Sequence, residues 1–138
     1  MDPRTALVLQ LNQLSSRSSR SLDHSLSLHG ISFTEYRVLH ALAGSAQGVL
    51  PRSELAERVC LTPSGVTRLL NPMEKIGLVE KHSQPRDARV SLVGIAPAGR
   101  EIYKDASATL TQRSMDLTHT LGERQVKDLS GLLSALGA

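Results

Sequence analysis

The stretch Arg52-Ser53-Glu54-Leu55-Ala56-Glu57-Arg58-Val59, Cys60-Leu61-Thr62-Pro63, then Ser64-Gly65-Val66-Thr67-Arg68-Leu69-Leu70-Asn71-Pro72-Met73-Glu74-Lys75-Ile76 reads as two short helices joined by a tight turn. In the first, Leu55, Ala56 and Val59 share one face. In the turn, Thr62 is placed to cap the next helix with its hydroxyl, and Pro63 stands at the first helical position, where its missing N–H costs nothing. The second helix, over Ser64–Ile76, has Val66, Leu69, Leu70 and Met73 facing inward. Ser64, Thr67, Arg68 and Asn71 face outward, so one helix carries a core face and a reading face.

Gly77 is the expected C-cap, and beyond it the period changes. Leu78-Val79-Glu80-Lys81-His82 and Arg89-Val90-Ser91-Leu92-Val93 read as two strands. The polar, basic turn Ser83-Gln84-Pro85-Arg86-Asp87-Ala88 joins them into a wing. Several pieces then resemble the MarR family of bacterial regulators: Leu55-Ala56-Glu57-Arg58; Ser64 with Val66-Thr67-Arg68-Leu69; Glu74 with Gly77-Leu78-Val79; Pro85-Arg86-Asp87 with Arg89; and Pro97-Ala98-Gly99. Their order and spacing carry the resemblance, no single piece does. It implies a mainly α (α+β) fold, a winged helix-turn-helix with long N- and C-terminal helices as a dimerisation frame.

The 138 residues are 40% hydrophobic, enough for one domain with an ordinary core. That domain divides into a winged-helix core over 31–97 and dimerisation helices over 1–30 and 98–138. Phe33, Tyr36 and Tyr103 are the only aromatic residues, so the core must be aliphatic, and binding of single strands by base stacking is disfavoured. A net charge of +3 tolerates a polyanion without demanding one. Of the 16 basic residues only Lys75, Lys81, Lys104 and Lys127 are lysine; the others are arginine, whose planar fork suits phosphate and guanine.

No apolar run approaches the length of a membrane span, and Ala6–Leu11 is too short for a signal peptide. A cytoplasmic protein without membrane contact is expected. The lone Cys60 fits a reducing compartment, and in a turn between packed helices it is expected to be a small buried hydrophobe, not an oxidation sensor. His24, His29 and His119 lack metal-ligand spacing to one another or to Cys60, so neither metal nor cofactor is expected. No Gly-rich phosphate loop or paired nucleophile and base suggests an enzyme.

The flanks are helical. Leu7, Leu11, Leu14, Leu22 and Leu26 form one stripe of a helix over about Thr5–Leu28, which continues through the serine-rich run Ser15–Ser21 because the stripe resumes in register after it. Thr34 is read as the cap of a helix through Tyr36, Val38, Leu39, Ala41 and Leu42, closed by Gly44. Pro97 opens a helix with Ile102, Ala106, Leu110 and Leu117. Thr120-Leu121-Gly122-Glu123 is read as a capping box for a last helix with Val126, Leu129, Leu133 and Leu136 on one side. A compact winged core cannot cover all these stripes, and the surplus implies a second copy of the chain. The resemblance implies that the first helix and the last two form that interface.

The expected reaction partner is double-stranded DNA. The reading helix presents Ser64, Thr67, Arg68 and Asn71, with Arg68 the candidate for guanine and the hydroxyls for phosphate or base edges. The wing offers Arg86 and Arg89 to a narrow minor groove, with Asp87 pairing with Arg89 to hold the hairpin, the role that the resemblance suggests. Arg52, Ser53, Lys75, Lys81 and His82 are weaker candidates at the phosphate backbone. Three residues depart from the family pattern, and one of them, Gly65, stands where a hydroxyl or alanine-like residue is more usual and lowers the helix propensity of the reading helix. Pro72 lies inside the reading helix, where it costs roughly 3 kcal/mol and is expected to kink the chain near Asn71, and Ala96 replaces a capping threonine, at about 1 kcal/mol.

These readings converge on a sequence-specific transcriptional regulator, a homodimeric repressor on a pseudo-palindromic operator. Many MarR-like proteins release DNA when a small phenolic or other anionic effector enters a cleft between frame and winged core. His24, His29, His40, Tyr36 and Arg17 could line such a cleft, although each is more plainly read as an exposed or partial-core helix residue. Two rival readings are a dimeric interaction protein of the same fold that modulates another regulator without touching DNA, and a nonspecific architectural DNA binder, which the mild charge disfavours.

Overall fold

The computed structural model describes residues 1–84, 86–87 and 89–137. Among these residues six α-helices and three short strands follow in the order α1 (Pro3–Leu26), α2 (Phe33–Ala43), β1 (Val49–Pro51), α3 (Arg52–Arg58), α4 (Pro63–Lys75), β2 (Val79–Ser83), β3 (Ser91–Ile95), α5 (Pro97–Leu117) and α6 (Glu123–Gly137). The fold is the mainly helical winged arrangement that the sequence implies. Its core is aliphatic: Leu26, Val38, Leu39, Leu42, Leu55, Val66, Leu70, Met73 and Val93 are essentially inaccessible.

α1 starts two residues earlier than the stripe indicates, because Asp2 Oδ1 accepts the Arg4 N–H at 2.7 Å and Pro3 occupies the first turn. The serine-rich run is helical throughout. α1 ends at Leu26, short of Leu28, in a 3-10 turn closed by Gly30 at φ +73°.

Two expected caps are displaced by better ones. α2 is capped by Ser32 and not by Thr34: Ser32 Oγ accepts from Glu35 N at 3.0 Å, and Glu35 Oε1 accepts from Ser32 N at 2.7 Å. These reciprocal bonds satisfy two orphan donors at once, which a lone Thr34 could not do. Before α6, Gly122 donates its N–H to Gln125 Oε1 at 2.9 Å, so the turn is organised two residues beyond Thr120. The start of α5 at Ala96 has no side-chain cap, as the sequence indicates.

α3 and α4 end in the same way. Leu61 N bonds to Ala56 O and Cys60 N to Glu57 O; Leu78 N bonds to Met73 O and Gly77 N to Glu74 O. This paired pattern needs a left-handed residue just past the helix. Gly77 supplies it at φ +81°, but after α3 the position falls to Cys60, at φ +56°. The expectation of a buried Cys60 is therefore corrected: Cys60 is exposed, because the left-handed turn sends Leu61 toward the core in its place.

The strands form an antiparallel sheet in the order β1-β3-β2. The expected pair at Leu78–His82 and Arg89–Val93 lies further along the chain, with Val79 opposite Ile95 and Ser83 opposite Ser91. β1, which the sequence reading did not contain, adds Leu50 opposite Val93. α5 then docks on the start of β2. A Cβ at Gly99 would collide with the Leu78 carbonyl oxygen, which already accepts the Ala96 N–H at 3.0 Å.

Candidate nucleic-acid interface

α4 is capped and packed as the sequence indicates. Thr62 Oγ1 accepts the Gly65 N–H at 3.1 Å, and Pro63 fills the first turn. Val66, Leu70 and Met73 are buried, Leu69 is half-buried, and Ser64, Thr67, Arg68 and Asn71 all lie exposed on the opposite side. Their spacing places them on one stripe. Thr67 donates its hydroxyl to Pro63 O at 3.1 Å, which leaves its lone pairs free to accept. Ser64 Oγ lies 3.3 Å from Thr62 Oγ1. Arg68 forms no hydrogen bond or ion pair among the described residues.

Pro72 stands on the exposed side of α4, and the helix runs unbroken across it from Pro63 to Lys75. The helix neither ends nor changes type near Asn71, where a kink is expected from the sequence. The missing N–H of Pro72 would have pointed at the Arg68 carbonyl, on the solvent side, where water can take its place.

The wing projects beyond the core. In β2 only Val79 is buried. At its tip Asp87 Oδ1 accepts both the Arg89 backbone N–H, at 3.0 Å, and Arg89 Nε, at 3.3 Å, so this carboxylate folds the turn and orients the arginine. The Arg89 side chain is 92% exposed. Arg86 is exposed too, whereas Pro85 and Ala88 of the wing motif lie outside the described residues.

The five weaker candidates separate. Ser53, Lys75 and Lys81 are exposed, and the His82 ring lies over Gly94, with Nε2 3.9 Å from Glu80 Oε1. Arg52 is the least exposed of the five. Its guanidinium turns onto Glu74 Oε1 at 2.7 Å and is largely buried there. Glu74, quoted in the sequence only as part of a motif, is thus the contact between α3 and α4 that the sequence reading missed; its position one turn after Leu70 on a helix edge was the available signal.

The residues considered for a ligand cleft do not share one. His29 Nε2 contacts Thr109 Oγ1 at 2.7 Å, and Tyr36 OH contacts Ser107 Oγ at 2.8 Å. His24 borders a cavity of about 420 Å³ with Ser25 and Arg113, and Arg17 another of about 540 Å³ with Leu117 and Leu121. His40 Nδ1 lies 2.8 Å from Tyr103 OH, and this pair lines a third cavity, of about 360 Å³, with Arg37 and Arg58. Burial, partly offset by the Ser107 hydrogen bond, pushes the Tyr36 phenol above its ordinary range. Among the described residues no group of three His, Cys, Asp or Glu could hold a metal ion, and no helix is long and apolar enough to cross a membrane.

Residues 29–90 match a model of the MarR family. The transcriptional regulator MhqR of Bacillus subtilis is 25% identical over 133 residues, which is 94% of this chain and 90% of that protein. FarR of Neisseria gonorrhoeae is 26% identical over 102 residues, 74% of this chain and 68% of that one. Among solved structures, a mutant MarR from Escherichia coli complexed with operator DNA superposes with a TM-score of 0.86 at 24% identity, over 95% of this chain and 93% of that one. A MarR family regulator from Streptomyces coelicolor gives 0.85 at 25% identity, over 99% and 94%. With the capped α4 and the wing in place, residues 29–90 match the MarR family, and along nearly its whole length the chain shares the winged helix-turn-helix fold of these transcriptional regulators.

Proposed function

We propose that the protein is a homodimeric repressor that places one α4 per subunit in successive major grooves of a pseudo-palindromic operator, with half-site centres about 10 bp apart. The observation that carries this reading is the exposed stripe Ser64, Thr67, Arg68 and Asn71 on a helix whose other side is locked into the core. In this reading residues 31–97 are the DNA-binding core, and 1–30 with 98–138 the dimerisation frame.

A second copy is supported by the apolar surface left over. Leu7 is 46% exposed, Leu132 66% and Leu136 61%, and with Leu11, Leu129 and Leu133 they line a groove of about 340 Å³ between α1 and α6. α6 buries none of its own residues, so its stripe gains from burial only if another chain covers it. A small acidic effector would find its counter-charges at Arg37 and Arg58, beside the His40 and Tyr103 pair.

The reading in which Pro72 records lost DNA docking gains no support from a helix that passes unbroken through that residue. Selection from random duplexes, together with sedimentation, tests the proposal. It expects a dimer and an enriched inverted repeat; a monomer at micromolar concentration, or a selection without inverted repeats, would overturn it.

A further inference from the structure

Arg52, Glu74 and Lys81 come from the start of α3, the last turn of α4 and the middle of β2, three elements that border the DNA-facing side. Glu74 Oε1 accepts from Arg52 Nη2 at 2.7 Å, while its Oε2 stays 3.8 Å from Lys81 Nζ. The Arg52 and Glu74 side chains are only 19% and 18% exposed, but that of Lys81 is 70% exposed. A short, largely buried arginine–carboxylate bond is hard to exchange, whereas a long contact to an exposed lysine holds little. The same carboxylate therefore treats its two cations differently: Lys81 is free to move to a phosphate, and Arg52 is not.

We propose that Glu74 is a specificity-determining positioning residue that withholds Arg52 from the DNA backbone. Sequence-independent affinity grows with each phosphate neutralised, and it does so equally on every duplex. A cation held inside the protein lowers that background without touching the base-reading stripe on α4. Arg52 thus belongs to the α3–α4 contact and not to the DNA-binding set.

The inference rests on DNA binding by this face, and a scrambled duplex tests it whether or not a preferred operator exists. Binding of full-length protein is measured between about 50 and 200 mM salt on the selected and the scrambled duplex. In Glu74→Gln the slope of log affinity against log salt on the scrambled duplex should steepen by about 0.9 per released arginine, twice that for a dimer. As salt falls across that fourfold range, the variant's gain over wild type then grows about 3.5-fold per contact and about twelvefold per dimer. The preference for the selected duplex should fall accordingly.

An unchanged slope, or an equal loss of affinity on both duplexes, would mean that Glu74 only stabilises the fold, and the proposal would fail. Arg52→Gln keeps the inference falsifiable even if Glu74→Gln does not fold. A withheld arginine contributes no phosphate contact, so its removal should leave the scrambled-duplex slope as in wild type. A slope shallower by about 0.9 per subunit would show that Arg52 reaches DNA already, and would overturn the assignment.

Discussion

Arg68→Ala separates reading from folding more sharply than any other change in this chain. Arg68 is exposed and forms no ion pair among the described residues, so its truncation should alter stability by no more than about 0.5 kcal/mol. If its fork reads a guanine, each half-site loses about 1–3 kcal/mol, and two subunits lose about 2–6 kcal/mol together. That corresponds to a fall in affinity of roughly 30-fold to 20,000-fold, limited at the upper end by nonspecific binding. Fluorescence anisotropy on the selected duplex at fixed salt reads the loss, and a thermal melt reports the fold. Arg68→Lys gives the second arm: a phosphate contact should be almost fully restored by lysine, a bidentate base contact only in part. Binding of Arg68→Ala within twofold of wild type, with an unchanged melting midpoint, would refute the assignment of α4 as the reading helix.

Three further outcomes follow from local geometry. Thr62→Ala removes the acceptor of the Gly65 N–H and should lower stability by about 1 kcal/mol, measured by urea titration. Gly99→Ala sets a methyl group against the Leu78 carbonyl oxygen and Ile95, so α5 must shift; a loss of about 1–3 kcal/mol or more is expected, and a neutral result would contradict the close docking of α5 on β2. The raised Tyr36 phenol makes stability depend on alkaline pH. The unfolded chain ionises this tyrosine first, so its contribution is complete below about pH 10 and is lost as pH rises beyond that value. Denaturation of Tyr36→Phe from pH 8 upward should lack this component; identical pH profiles for variant and wild type would exclude Tyr36 as its source.

Much of the architecture was legible because periodicity and turn chemistry are local. The alternation of buried Val66, Leu70 and Met73 with exposed Ser64, Thr67, Arg68 and Asn71 follows from helical spacing alone, and Thr62-Pro63 and Gly77 mark the ends of α4 by their own backbone preferences. The apolar stripes of α1 and α6 are equally plain. β1 was not legible: Val49-Leu50-Pro51 is too short to carry a period, and it is a strand only because Leu50 pairs with Val93, more than forty residues away.

The chain's order of residues determined which helix pairs a buried apolar face with an exposed polar one, where the wing lies and which surfaces are left greasy, since each of these depends on neighbours within a turn or two. Tertiary structure decided the rest. It turned Cys60 outward, because a paired helix ending requires a left-handed residue there whatever its type. It also took Arg52 from the surface and gave it to Glu74, because the charge that a guanidinium meets depends on what packs beside it, and α3 and α4 become neighbours only on folding.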